Sequence, residues 1–106
     1  MENNQNKRQA ATPTIQVDND RVRVVEWAFE PGAETGWHVH EWDYVVVPQT
    51  DGLLLLENDG DNSSAELHAG QSYYRQAGVS HNVINDGGKK LIFIEIEMKA
   101  HPMVGG

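Results

Sequence analysis

Turn-forming residues break this chain into short pieces. Asn19-Asp20, Pro31-Gly32, Asp51-Gly52, Asp59-Gly60-Asp61-Asn62, Ala69-Gly70, Ala77-Gly78 and Asp86-Gly87-Gly88 interrupt it, at intervals of roughly 8–12 residues. Between them lie short runs rich in Val, Ile, Leu and aromatic residues. No window keeps a 3.6-residue period over the ~11 residues an amphipathic helix needs. The pattern predicts an all-β sandwich or barrel, with strands near 14–18, 21–30, 37–40, 43–48, 53–58, 65–68, 72–75, 81–85 and 91–98. In the last run, Ile92, Ile94, Ile96 and Met98 share one face, which is expected to be core. Leu91, Phe93, Glu95 and Glu97 share the other, a mixed face suited to partial cover by a second subunit.

Length and charge narrow the function. The 106 residues fit one domain with a real core. Residues 1–13 read as a disordered lead-in, 14–100 as the barrel and 101–106 as a tail. The absence of cysteine excludes disulfides, thiolate zinc sites, iron–sulfur clusters and a cysteine nucleophile. With 16 acidic and 8 basic side chains and a net charge of −8, there is no stripe of Lys and Arg to track nucleic-acid phosphates. The surplus acids fall mostly in loops and strand edges, where charge discourages strand addition. No apolar run approaches the ~20 residues of a membrane-spanning helix, and the polar N-terminus has no apolar leader core. A cytoplasmic protein without nucleic-acid or membrane partners is expected.

Histidines carry the chemistry. His38 and His40 are two apart in a β-prone segment, so both imidazoles project from one face and can converge on one ion. Trp37 and Val39 take the opposite face. His81, in AGVSH and opening HNVIN, is the best third ligand, and Glu41 and Asp43 are the nearest carboxylates after His40. Neutral imidazole suits iron, copper, nickel and zinc. The ordinary reading of an HxH pair is two surface or hydrogen-bonded histidines. His68 reads as a turn residue and His101 as part of the tail, and neither is given a role. Gly87-Gly88-Lys89-Lys90 lacks the frame of a phosphate loop, and Ser80 lacks that of a nucleophile elbow.

Gly32, five residues and then His38-Val39-His40 resembles the first motif of the cupin superfamily, G-x5-H-x-H. Gly70, Gln76-Ala77-Gly78, His81 and Asn85 resemble the second, G-x5-P-x-G-x2-H-x3-N. The runs GWHVHEWDYVVVPQTDG and QSYYRQAGVSHNVIN are similar to the small single-domain cupins called β-alanine-degradation proteins. The resemblance implies a jelly-roll-like β-barrel, a homodimer, and a divalent metal (Fe(II), Mn(II), Ni(II) or Zn(II)) held by His38, His40 and His81. Two departures stand out. Tyr44 and Val45 occupy the places where the family's first motif has glutamate, which leaves Asp43 as a substitute ligand if the strand is bulged. Gln76 replaces the second motif's proline.

Tyr44 and Tyr73 are candidate proton donors, and Arg75 is a candidate clamp for a substrate carboxylate. Tyr73 and Arg75 share one strand face and Tyr74 and Gln76 the other, but parity alone does not say which is inside. The expected function is a metal-dependent enzyme acting on a small carboxylate or diketone, as a dioxygenase or a Lewis-acid isomerase or lyase. The alternative is a non-catalytic barrel that binds a small molecule or metal.

Overall fold

Strands appear between the turn signals in the expected order. The computed structural model describes residues 8–100, and among these are nine strands and no helix. They are β1 (Thr12–Asp18), β2 (Val22–Phe29), β3 (His38–Val39), β4 (Asp43–Pro48), β5 (Gly52–Asn58), β6 (Asp61–Leu67), β7 (Tyr73–Arg75), β8 (Ser80–Asn85) and β9 (Leu91–Met98). They form two antiparallel sheets, ordered β1-β2-β9-β4-β7 and β3-β8-β5-β6.

Two boundaries differ from expectation. Ala11 is buried in the core and its N–H donates to the Glu34 carbonyl at 2.7 Å, so the folded domain reaches back into the stretch read as a lead-in. Small polar and alanine residues there pair by backbone, which composition does not reveal. Strand β6 begins at Asp61 because Asn58↔Asp61 closes a two-residue hairpin turn over Asp59-Gly60, with Gly60 at a φ of 85°. Residues 1–7 and 101–106, including His101, lie outside the described residues.

The apolar end of the barrel is packed around Phe29, Leu91, Leu54, Leu67 and Phe93. The Phe29 and Phe93 rings meet at 5.4 Å, a tilted pair worth about 1 kcal/mol beyond its buried area. Gly52 lies against Leu91, whose side chain a Cβ at position 52 would strike. The core face of β9 is the reverse of the expected one. Leu91, Phe93 and Glu95 are buried at 0%, 3% and 9% exposure, whereas Ile92, Ile94 and Ile96 are half-covered and Met98 is exposed. Alternation separates the two faces of a strand without saying which one is inside. Phe93 is therefore a core residue and offers no seam to a second subunit.

Asn85, at the end of the second motif, is 1% exposed and ties several backbone groups together. Its side-chain amide donates to the carbonyls of Phe29, Glu30 and Lys89, at 3.2, 3.3 and 2.8 Å, and its carbonyl oxygen accepts the Gly87 N–H at 3.0 Å. One side chain thus joins the end of β2 to the β8–β9 turn. Asp43 fastens β4 to the β7 side in a similar way: Oδ2 accepts the Tyr74 hydroxyl at 2.7 Å and Oδ1 the Ala77 N–H at 2.8 Å.

Asn85→Ala is expected to destabilise the fold by about 2–3 kcal/mol, because it strands several buried partners; a change in the urea midpoint within error of wild type would contradict this role. The Tyr74 hydroxyl and then the Ala77 N–H hold the Asp43 carboxyl below the ordinary aspartate value of 3.8. A group whose pKa is depressed by folding stabilises above its unfolded value and loses that contribution as the pH falls through its folded value. Asp43→Asn should therefore be less stable than wild type near neutral pH, with the gap closing below about pH 4. Denaturation curves showing the same gap throughout would exclude this.

Candidate metal centre

The segment from Gly32 to His40 lies along β8, which joins the two histidine-bearing stretches. Gly32 N–H donates to the Asn85 carbonyl, Thr35 N–H to Val83, and His40 N–H to Val79, each at 2.9 Å. In β3 the pairing sets His38 directly opposite His81. Gly32 and Gly78 turn the chain at φ values of 82° and 99°, in the left-handed region that glycine enters without strain. The Gly78 turn forms with Gln76 in place of proline, and its N–H donates to the His40 carbonyl at 2.8 Å.

The three imidazoles meet edge to edge. His40 Nε2 lies 3.0 Å from His38 Nε2 and 3.3 Å from His81 Nε2. Trp37 and Val39 point outward, at 55% and 62% exposure, as the two-residue period requires. His38 Nδ1 is 2.8 Å from the Gly36 carbonyl. A carbonyl only accepts, so Nδ1 carries the proton and Nε2 of the neutral ring presents its lone pair to the centre. Burial pushes the His38 pKa down, and burial followed by the charges of His38 and His40 pushes His81 down to about 4. Rings kept neutral in this way are competent ligands. Three imidazole nitrogens this close suit a shared cation, so the residues present fit a metal.

Two carboxylates absent from the expected ligand set stand beside His40. Glu95 Oε2 is 4.0 Å from His40 Nε2, and Glu97 Oε2 is 3.7 Å from His40 Nδ1. Both belong to the inward row of β9. Glu97 also pairs with Arg23 Nε at 3.7 Å. Burial raises the Glu95 pKa, and His40 opposes the shift. The sequence carries this signal in LIFIEIEM, where both acids share parity with Leu91 and Phe93; with the expected Ile face as core, they would lie outside.

Asp43 is not brought to the histidines. Both its oxygens are taken by Tyr74 and Ala77, and neither group of convergent ligands includes it or Glu41. The pairings Tyr44↔Arg75 and Val46↔Tyr73 resolve the parity of β7: Tyr73 and Arg75 face inward with Tyr44, and Tyr74 faces out. Tyr44 stacks on His40 with centroids 3.9 Å apart. Burial, reinforced by Glu95, lifts the Tyr44 hydroxyl well above the usual phenol range, and burial also raises Tyr73. Both hydroxyls therefore keep their protons at neutral pH. The Arg75 guanidinium lies 4.6 Å over the Tyr73 ring.

The histidines form part of a wall between two cavities. One, of about 280 Å³, is lined by His81, Glu95, Tyr44, Tyr73 and Arg75 above an apolar floor of Leu54, Val83 and Phe93. The other, of about 260 Å³, is lined by His38, His40, Glu95, Glu97, Arg23 and Trp27. A larger hollow of about 530 Å³ lies at the opposite end, between Gly52, Leu67 and Gly88. No group of convergent ligands lies there, so size does not make it the site. His68 borders it, exposed and 3.8 Å from Glu66.

Comparison with known proteins agrees with this arrangement. Residues 25–97 match the family described as Cupin domain. The chain is 58% identical over 92 residues to the β-alanine degradation protein BauB of Pseudomonas aeruginosa, covering 87% of this chain and 97% of that one. A cupin domain from Bordetella pertussis Tohama I superposes with a TM-score of 0.86 at 55% identity, covering 89% of this chain and 98% of that one. A double-stranded β-helix protein from Klebsiella pneumoniae shares the fold at 22% identity and a TM-score of 0.71, over 85% of this chain and 77% of that one. With both histidine stretches on one ladder inside this barrel, and relatives at more than half identity, the chain belongs to the cupin family.

Proposed function

We propose that this cupin holds one divalent transition-metal ion on His38, His40 and His81 and acts on a small carboxylate or diketone-like metabolite. The observation that carries the reading is the convergence of three Nε2 atoms, at 3.0 and 3.3 Å, beside a cavity that also holds Arg75 and two tyrosines. Fe(II), Mn(II), Ni(II) and Zn(II) all suit imidazole ligands. When bound, such an ion supplies Lewis acidity, and iron in addition supplies redox chemistry toward O2.

The chain's own groups do the rest. Arg75 offers a planar pair of N–H donors to a carboxylate entering the cavity. Tyr73, held protonated by burial, stands beside Arg75 and donates a proton or hydrogen bond to a substrate oxygen. Tyr44 packs on the His40 ring and limits its rotation. Leu54, Val83 and Phe93 form a water-poor floor that suits a small apolar substrate body. The Pseudomonas relative is named for degradation of β-alanine, itself a small carboxylate, which supports this substrate class. The competing reading is a binding module using the same pocket. It is favoured by the absence of Asp43 from the cavity, which leaves no carboxylate base there except Glu95.

Tag-free protein is expected to carry about one iron, manganese, nickel or zinc per chain, measured by elemental mass spectrometry. His38→Ala and His81→Ala should lose it while keeping the β-sheet circular dichroism of wild type. Full metal occupancy in either folded variant would remove that ligand from the centre. Metal-loaded protein should bind small carboxylates by calorimetry, with Arg75→Met weakening them at least about tenfold. Equal affinities in both proteins would dismiss the clamp. Tight binding without O2 uptake or any product would favour the binding module.

A further inference from the structure

The cavity that holds Arg75 has a second polar side. β6 and β7 are the last strands of their sheets, and Ser63 from one and Tyr73 and Arg75 from the other line the same space of about 280 Å³. Ser63 and Arg75 are exposed, whereas Leu54, His81, Val83 and Phe93 are buried. The cavity therefore opens to water along the seam between these two strands, with the guanidinium and the phenol on its β7 side.

The facing side comes from one inward row. β5 pairs with β8 through Asn58↔His81 and Leu56↔Val83, and with β6 through Leu56↔Ser63, so Asn58 and Ser63 share the face of His81. Both line the cavity. Asn58 Nδ2 donates to the Leu56 carbonyl at 3.3 Å and to Ser63 Oγ at 3.4 Å. The amide nitrogen is thus engaged and Oδ1 remains as an acceptor, while Ser63 Oγ receives a bond and keeps its O–H as a donor. An acceptor beside a donor matches a hydroxyl, which gives one hydrogen bond and takes another. A carboxylate only accepts, and finds its donors across the seam at Arg75 and Tyr73. Glu95 does not compete for the hydroxyl, because it accepts the Trp27 indole N–H and faces His40. The apolar floor between the two sides suits the methylene groups that would join such ends.

We propose that the ligand of this cavity is a small hydroxy acid, its carboxylate on Arg75 and its remote hydroxyl on Asn58 and Ser63, and that these two residues set the preference for it over the unsubstituted acid. The proposal rests on the carboxylate reading above and adds the second functional group. Metal-loaded protein is titrated by calorimetry with propionate, butyrate, 3-hydroxypropionate and 4-hydroxybutyrate. At least one hydroxy acid should bind wild type about tenfold or more tightly than its parent acid. Asn58→Leu and Ser63→Ala should each cut that advantage to about twofold or less while leaving the parent acid's affinity unchanged. Arg75→Met should weaken both kinds of acid alike. Equal binding of hydroxy and parent acids to wild type would overturn the proposal. So would an advantage that survives in both variants, since the hydroxyl would then be met elsewhere, such as on the metal. Equal loss of both kinds of acid in Asn58→Leu would put the carboxylate on Asn58 and overturn it too. Failure of every acid to bind metal-loaded wild type would instead overturn the carboxylate reading beneath it. Should Asn58→Leu not fold, Ser63→Ala decides the matter, because Ser63 is exposed on an end strand.

Discussion

The ladder that β9 makes with β2 on one side and β4 on the other determines what the barrel interior contains. Its register sets Val25↔Glu95 and Val46↔Glu95, and Arg23↔Glu97 and Tyr44↔Glu97. A slip of one residue would turn Ile94 and Ile96 inward and carry both acids to the surface. Such a slip would give a more apolar core and leave His40 without its neighbours. What resists it is central placement: β9 is hydrogen-bonded along both edges, and Leu91 and Phe93 fill the floor only in the observed register.

The interior is graded as a result. Read along β9, the inward residues pass from Leu91 and Phe93 to Glu95 and Glu97; along β4 they pass from Pro48 and Val46 to Tyr44; along β8 they pass from Asn85 and Val83 to His81. Apolar packing at one end supplies stability, and the other end gathers groups that resist burial. Burial pushes the pKa values of His38 and His81 down and that of Glu95 up, as expected when charge leaves water without full compensation. A cation at the histidines would relieve both strains at once.

Much of this was legible in the sequence, and the parts that were not share a physical cause. The turn spacing yields the all-β class and the strand order, and the motif stretches at Gly32–His40 and Gly70–Asn85 identify the three histidines, because both signals are local. Placement across sheets is not local. The face of β9, the fate of Asp43 and the inward turn of Tyr73 and Arg75 depend on which strands pair and in what register. Asp43 illustrates this: it stands three residues from His40 in sequence, yet its partners are Tyr74 and Ala77. Glu95 lies far from the histidines along the chain and beside them in space. The polar DNSS stretch of β6 and the alanines before β1 were missed for a different reason, since backbone pairing alone orders them.

The outer margins of the two sheets differ in how they are protected. β3 and β7 are two and three residues long, and β6 presents Asp, Asn and Ser to water, all poor templates for a further strand. β1 is different: seven residues, exposed throughout, with Ile15 at 54% and Val17 at 41% exposure. Pro13 removes one donor from it, and the bulge between Ile15 and Val17 bends the rest. Beyond those two defences, molecules that each carry a net charge of −8 repel one another, which opposes the addition of a further strand at β1. Colloidal stability at this margin thus depends on the solvent, through salt and acidity, more than on shape, and crowding or acidification would act first on β1.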